Sequence, residues 1–183
     1  MKSFFTSIIR RTPKKNILSI LFLLVLIVDM SSIFFFSSEN GTESSQRSEG
    51  VTDKVATVIV DGYNEMPEEE KQAERDKLQL PVRKIAHFSL FALLGLSAAL
   101  LIFSLDIRKW QISFVIPLVL GIVWAIIDEL HQALTAGRVS AATDVLIDIA
   151  GAFTAVLAVN LCVYLFERSK RVHSSVTAQG SEA

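Results

Sequence analysis

Long apolar runs alternate with polar connectors along most of the chain, and the runs lack the one-sided stripe of a helix in a soluble protein. Four of them, at residues 16–36, 85–103, 112–127 and 143–166, come close to the roughly 20 residues that cross about 30 Å of hydrocarbon. The pattern predicts an all-α, polytopic membrane protein: four transmembrane helices and an extracytoplasmic loop carrying a short amphipathic helix. Its parts are a basic cytoplasmic tail (1–15), the first transmembrane helix (16–36), an acidic extracytoplasmic loop (37–82), a three-helix membrane core (83–166) and a cytoplasmic tail (167–183). The first run is longer than the roughly 7 to 15 residues of a signal-peptide core, and no small-residue cleavage site follows it, so it is expected to stay as a helix.

Composition agrees with the pattern. Hydrophobic residues make up 51% of the chain, mean hydropathy is +0.45 and there are 12 Phe, too apolar for an ordinary soluble domain of 183 residues. A net charge of −1 with no concentrated basic track argues against a nucleic-acid partner. The single cysteine, Cys162, falls in the last apolar run, which leaves no intramolecular disulfide and suggests no thiolate site.

Charge sets the expected orientation. Lys2, Arg10, Arg11, Lys14 and Lys15, with no acidic residue among them, place the N-terminal tail in the cytoplasm. By alternation, 37–80 lies outside, the connector Asp106 to Trp110 inside with Trp110 as an interfacial anchor, Ala136-Gly137-Arg138 outside, and the C-terminal tail with Arg168, Lys170 and Arg171 inside. The localisation expected is therefore the cell membrane, multi-pass, with both termini cytoplasmic.

The outer loop holds 11 acidic against 5 basic residues between positions 37 and 80. Residues 37–50, rich in Ser, Glu and Gly, have the composition of a flexible segment. Val51, Val55, Val58, Ile59 and Tyr63 then recur at helical spacing, predicting an amphipathic helix on the membrane surface or over the bundle. Residues 68–77 form a charged stretch fit for a solvated helix, weakened by the like-charge pairs Glu70/Glu74 and Lys71/Arg75. Pro81 predicts a break before the second span.

Chemically capable residues gather at the outer ends of the spans. Arg83, Lys84 and His87 open the second and share a helix face. Asp128, Glu129, His131 and Gln132 close the third, roughly 25 Å of helix beyond Trp110. Arg138 follows in the turn; Asp144 opens the fourth span, with Asp148 one turn deeper on the same face. Acidic residues inside spans usually face a bundle interior or an aqueous cavity, because charge in hydrocarbon is costly. Asp148 is the strongest case and Asp29, beside two Ser that could hydrogen-bond it locally, the second.

Structural alternatives stand beside each. Arg83 and Lys84 can be snorkelling headgroup anchors, Asp144 an N-cap, Arg138 a partner of Asp128 or Glu129, and His131 an interfacial polar residue; Phe34, Phe35, Phe36 and Phe88 need only lipid contact. A metal would need convergent ligands, which His87, Asp128, Glu129 and Asp144 could supply. The spacing is not diagnostic, neither H-E-x-x-H nor C-x-x-C occurs, and the neighbouring cations oppose a divalent ion, so no metal and no cofactor are expected. No G-x-S-x-G nucleophile context occurs.

These residues together resemble the VanZ-like membrane protein family. The resemblance rests on Ile33-Phe34-Phe35-Phe36-Ser37-Ser38, on Arg83-Lys84-Ile85-Ala86-His87-Phe88, and on Asp128-Glu129-Leu130-His131-Gln132 followed by Gly137-Arg138, Asp144 and Gly151. It spans the chain apart from the acidic loop and the tails. Four positions depart from the pattern: Leu90-Phe91 stand where the family leads one to expect Glu-Tyr, Asp148 where Asn is usual and Glu39 where Gln is common. Asp148 would restore from another helix the carboxylate missing at Leu90. The resemblance implies a role at the outer face of the cytoplasmic membrane, in glycopeptide (teicoplanin) susceptibility or cell-envelope processes, and implies no particular reaction.

Three functions fit the residues. In the first, Lys84, His87, Gln132, Arg138, Asp144 and Asp148 bind or protect an anionic envelope component such as a lipid-linked precursor. In the second, a membrane enzyme acts on such a precursor, with His87, Asp128 and Glu129 as catalytic candidates and Arg138 stabilising negative charge. In the third, Asp148, Asp29 and Glu129 form the relay of a proton- or ion-coupled transporter, for which four spans without an inverted repeat are few. Binding is the preferred reading, and the residues leave open whether a reaction follows. Expected partners are membrane lipids and lipid-linked cell-envelope precursors; Ala150-Gly151-Ala152 offers a close-packing face for a homo-oligomer.

Overall fold

The computed structural model describes residues 13–135 and 141–180. Among these the fold is helical: α1 (Pro13–Ser37), α2 (Gly41–Ile59), a single 3₁₀ turn (Tyr63–Glu65), α3 (Glu68–Ser104), the short α4 (Trp110–Ser113), α5 (Val115–Ala133) and α6 (Ala142–Gly180). Four stretches are long and apolar enough to cross a membrane: Asn16–Ser37, Glu68–Ser104, Trp110–Ala133 and Ala142–Arg171. The molecule is a multi-pass membrane protein of the all-α class that the apolar pattern predicts.

Helix α3 is the central element, packing against α1, α2, α5 and α6, with its most extensive interface on α6. Two apolar clusters fill the bundle. Leu26, Ile33, Phe91, Leu94, Ala98 and Ala125 form one, and Ala99, Val156 and Val159 the other. Much of the remaining apolar surface faces outward, including Ile17, Leu24, Val28 and Phe35 of α1 and Leu157, Leu161 and Phe166 of α6. Hydrocarbon is the solvent that suits such a surface, so these side chains need no protein partner.

Small residues let α3 and α6 approach closely. A Cβ on Gly95 would lie 2.6 Å from the Ala152 carbonyl oxygen, and one on Gly151 would fall on the Phe88 carbonyl oxygen. Gly151 and Ala152 are thus used within the chain, so the close-packing face read from the sequence meets α3 rather than standing free. Away from the loop helix, Ser113 donates to Asn160 Oδ1 at 2.9 Å while Asn160 Nδ2 donates back to the Ser113 carbonyl at 3.2 Å, joining α4 to α6. Ser104 donates to Ser19 at 2.9 Å and ties α3 to α1.

The loop departs from expectation in three places. Residues 37–50 are not a flexible segment, because α2 begins at Gly41 behind a capping box: the Asn40 side chain accepts from the Glu43 N–H, and the Glu43 carboxylate from the Asn40 N–H. The buried face of α2 is Thr52 and Ala56, while Val51, Val58 and Ile59 are exposed and only Tyr63 of the expected stripe is fully buried. Pro81 does not break the helix: α3 runs through it for 37 residues, about 55 Å. Proline costs a helix interior about 3 kcal/mol in lost backbone bonding and ring clash. The packing of α2 along this part of α3, with Gln79 donating to the Ser45 carbonyl at 3.4 Å, supplies contacts that offset it.

Arg75 anchors this layer. Its guanidinium donates to Tyr63 Oη at 3.1 Å, Asp53 Oδ1 at 3.3 Å and Glu68 Oε1 at 2.6 Å, and the Tyr63 hydroxyl donates to Asp53 at 2.7 Å. That hydroxyl, followed by the arginine, holds the Asp53 carboxyl below the usual Asp range; burial, then the hydrogen bond to Asp53, raises the Tyr63 phenol. Three sequence-distant segments are thereby fixed over one end of the bundle.

Candidate functional site

The tight α3/α6 seam dictates the position of the polar residues beside it. His87 precedes Phe88, whose carbonyl faces Gly151, and Asp148 lies one turn before Gly151 on α6. The result is a 3.5 Å separation between His87 Nδ1 and Asp148 Oδ1. One turn outward the same two helices bring Lys84 Nζ within 3.7 Å of Asp144 Oδ1. Asp144 occupies the first turn of α6 rather than its N-cap, since its own N–H already bonds to the Ala141 carbonyl at 2.8 Å. Lys84 is half-buried beside it.

Helix α5 adds a third wall. Asp128, Glu129 and Gln132 are all buried on its inward face. Asp128 joins His87 and Asp148, the three offering one donor atom each within 4.8 Å of one another. Gln132 Nε2 donates to Asp128 Oδ2 at 2.7 Å and fixes that carboxylate. Asp148 Oδ1 and His87 Nδ1 meet each other at 3.5 Å and, with Asp148 Oδ2, are buried without a hydrogen bond among the described residues. Buried polar atoms so placed are costly in a helical membrane bundle.

Glu129 behaves differently from its neighbour. Its Oε1 accepts the Ala141 N–H at 2.6 Å, holding the chain where it enters α6. The ligand set considered from the sequence, His87 with Asp128, Glu129 and Asp144, is therefore not the set that converges. Glu129 and Asp144 are engaged with Ala141 and Lys84, and Asp148 completes the group instead. Arg138 lies outside the described residues.

Two cavities open beside these groups, between α2, α3 and the start of α6. The first, of about 340 Å³, is lined by Arg83, Lys84, His87, Thr143 and Asp144, with Ser45 of α2 across from them. The second, of about 350 Å³, is mostly apolar, with Val51, Val82, Ala86, Leu90 and Leu93 on its walls and Glu39 and Arg47 among its polar lining. Glu39 and Arg47 pair with each other. Arg83 and His87 line both cavities. Leu90, at the position where the family resemblance leads one to expect Glu, is part of the apolar wall, and Phe91 is fully buried in the core.

Some participants were not singled out from the sequence. Ser37, buried at the end of α1, donates to the Asp128 carbonyl at 3.4 Å and links the first span to the site. Ser38 lies 3.1 Å from His131 Nε2, and Phe34 stacks on the His131 ring with centroids 4.5 Å apart, which makes His131 part of the α1/α5 contact. Asp29 gains no local help from Ser32, whose hydroxyl donates to the Val28 carbonyl at 2.8 Å, and Asp29 Oδ2 is buried without a hydrogen-bond partner among the described residues. Polar residues at span ends are the available signal for Ser37 and Ser38; their partners depend on how the helices meet.

Comparison with known proteins agrees with the geometry at the level of the family. Neither the curated proteins nor the solved structures contain a match. The family model described as VanZ/LLP1 matches residues 22–164, which take in the second and third apolar helices, most of the first and fourth, and every residue of the site. The chain belongs to the VanZ/LLP1 family.

Proposed function

We propose that this protein binds, and thereby protects or sequesters, an anionic lipid-linked component of the cell envelope at the outer leaflet of the cytoplasmic membrane. The observation that carries the reading is the junction of the two cavities at Arg83 and His87. A compartment holding Arg83 and Lys84, with Asp144 beside Lys84 on its wall, adjoins an apolar groove along α3, the pairing that an acidic headgroup on a hydrocarbon chain requires. Each cavity lies within the range of small-molecule sites. Lys84 offers a point charge and Arg83 a planar fork, both suited to phosphate or carboxylate.

The outward placement rests on the charge pattern, with basic N- and C-terminal tails on the cytoplasmic side. It puts the acidic layer of α2 and the start of α3 outside, over the cavities. The link to glycopeptide (teicoplanin) susceptibility is what the family resemblance implies, and it is part of this proposal. Alanine variants of Lys84, His87, Gln132, Arg138 and Asp144 are expected to lose glycopeptide tolerance in cells at unchanged membrane levels. Tolerance equal to wild type throughout the series would mean that these residues serve structure alone.

A specific observation also favours an enzymatic reading: a half-buried imidazole beside two buried carboxylates, on the wall of a cavity. In that reading His87 and Asp128 move protons at a bound precursor, while Glu129 holds the α6 entrance. Mass spectrometry of envelope precursors incubated with the protein separates the two. A mass change lost in His87→Gln indicates an enzyme; recovery of intact precursor under conditions where cells are protected indicates binding.

A further inference from the structure

We propose that His87, Asp128 and Asp148 form a site for one divalent first-row metal ion of the Zn²⁺ or Mn²⁺ type, built from α3, α5 and α6. The sequence points away from a metal because the ligands it suggests have no diagnostic spacing and cations stand beside them; of those cations, Lys84 is turned toward Asp144 in the fold. The folded chain assembles a different trio, and three features of it favour a cation.

The first is distance. Donor atoms each about 2.1 Å from a common ion are about 3.4 Å apart in tetrahedral coordination. His87 Nδ1 and Asp148 Oδ1 already stand at 3.5 Å, and no pair in the trio exceeds 4.8 Å, a difference that small side-chain rotations close.

The second is the state of Asp148. Its side chain is 1% exposed, both oxygens lack a hydrogen bond among the described residues, and it faces an imidazole nitrogen that also lacks one. A carboxylate so placed needs a cation or a proton to offset desolvation. Lys84, on the same helix face as His87, is turned toward Asp144.

The third is donor type and support. One nitrogen and two oxygen donors match Zn²⁺ or Mn²⁺ better than the softer ions that prefer thiolate. The Gln132 amide on Asp128 is the outer hydrogen bond that orients metal-binding carboxylates elsewhere. His87 lines the 340 Å³ cavity, so a metal here would lie beside whatever enters it. The inference concerns the trio itself and does not depend on the identity of that ligand.

The test uses the full-length protein in detergent, stripped with a chelator, reloaded separately with Zn²⁺ and Mn²⁺ and assayed by metal analysis and calorimetry. Wild type is expected to retain a single equivalent of one of the two. Asp148→Asn, which keeps the shape and removes the charge, should lower its affinity about tenfold or more, and Gln132→Ala by about 10 to 100-fold. Binding should also raise the melting temperature of wild type but not of Asp148→Asn. No retained metal in wild type, or equal retention in Asp148→Asn and His87→Gln, overturns the proposal. Should the variants fail to fold, Co²⁺ loaded into wild type decides: visible ligand-field absorption supports the site and its absence overturns it. Either result leaves the binding of an anionic lipid to be judged on its own measurement.

Discussion

The backbone carbonyl of Phe88 occupies the place where a side chain on Gly151 would begin, and this contact sets how near His87 comes to Asp148. Any Cβ at position 151 must push α6 away from α3 or tilt it. Overfilling a packed interface in this way typically costs about 1 to 3 kcal/mol. Gly151→Ala should therefore melt several degrees below wild type in detergent, whereas Ala150→Ser, at the exposed neighbour, should melt at the wild-type temperature. Equal melting of Gly151→Ala and wild type would mean that the seam is looser than described.

At the other end of the bundle, Asn160 and Ser113 exchange two hydrogen bonds between α6 and α4. Interhelical polar pairs in membranes are worth about 0.6 kcal/mol on average and up to about 1.7. A double-mutant cycle with Asn160→Leu and Ser113→Ala should return a coupling in this range by reversible unfolding. Additive single effects would show that each residue is satisfied by its own helix, as the Asn160 bond to the Val156 carbonyl at 2.9 Å already permits in part.

The Asp53, Tyr63 and Arg75 cluster gives the loop layer a defined pH window. Asp53 is held below its ordinary value of 3.8, so its contribution to docking is present above that value and lost as pH falls through the lower folded-state value. Tyr63 is raised above 10.0, so its contribution persists below 10.0 and is lost as pH climbs through the raised value. Amide exchange over residues 41–66, corrected for intrinsic rates, should be slow between these limits and quicken at both ends. Tyr63→Phe should exchange faster at neutral pH and show a weaker acid transition; exchange identical to wild type would remove the cluster from the account.

Much of this architecture is legible in the sequence because hydrophobic length is a sufficient signal for a spanning helix. The four apolar runs, the inward-facing Asp148 and the pairing of α3 with α6 residues at one end all follow from span length and the cost of burying charge. Pairing choices are not so encoded. Glu129 and Asp128 are adjacent in sequence, yet one holds the Ala141 backbone and the other turns to His87 and Asp148, a division decided by where α6 begins. Pro81 and the Ser-rich start of α2 misled for the same reason. Local propensity favours a break or a flexible chain, while the Asn40/Glu43 capping box and the packing of α2 on α3 favour helix. The capping box is legible as Asn40-x-x-Glu43 and is a local signal for the helix.

The central claim, that the cavity lined by Arg83 and Lys84 and its apolar neighbour hold an anionic lipid, is tested most directly by titrating a polyprenyl phosphate into the protein in nanodiscs of neutral lipid. Lys84→Gln removes one charge from the cavity wall and Leu93→Gln adds polarity to the groove. A charge-assisted contact is worth about 1.5 to 3 kcal/mol, so Lys84→Gln should weaken binding roughly tenfold or more. Leu93→Gln should weaken the polyprenyl phosphate while leaving the weaker binding of inorganic phosphate unchanged. Equal affinity of wild type and both variants for the polyprenyl phosphate, or no binding by wild type, would contradict the account.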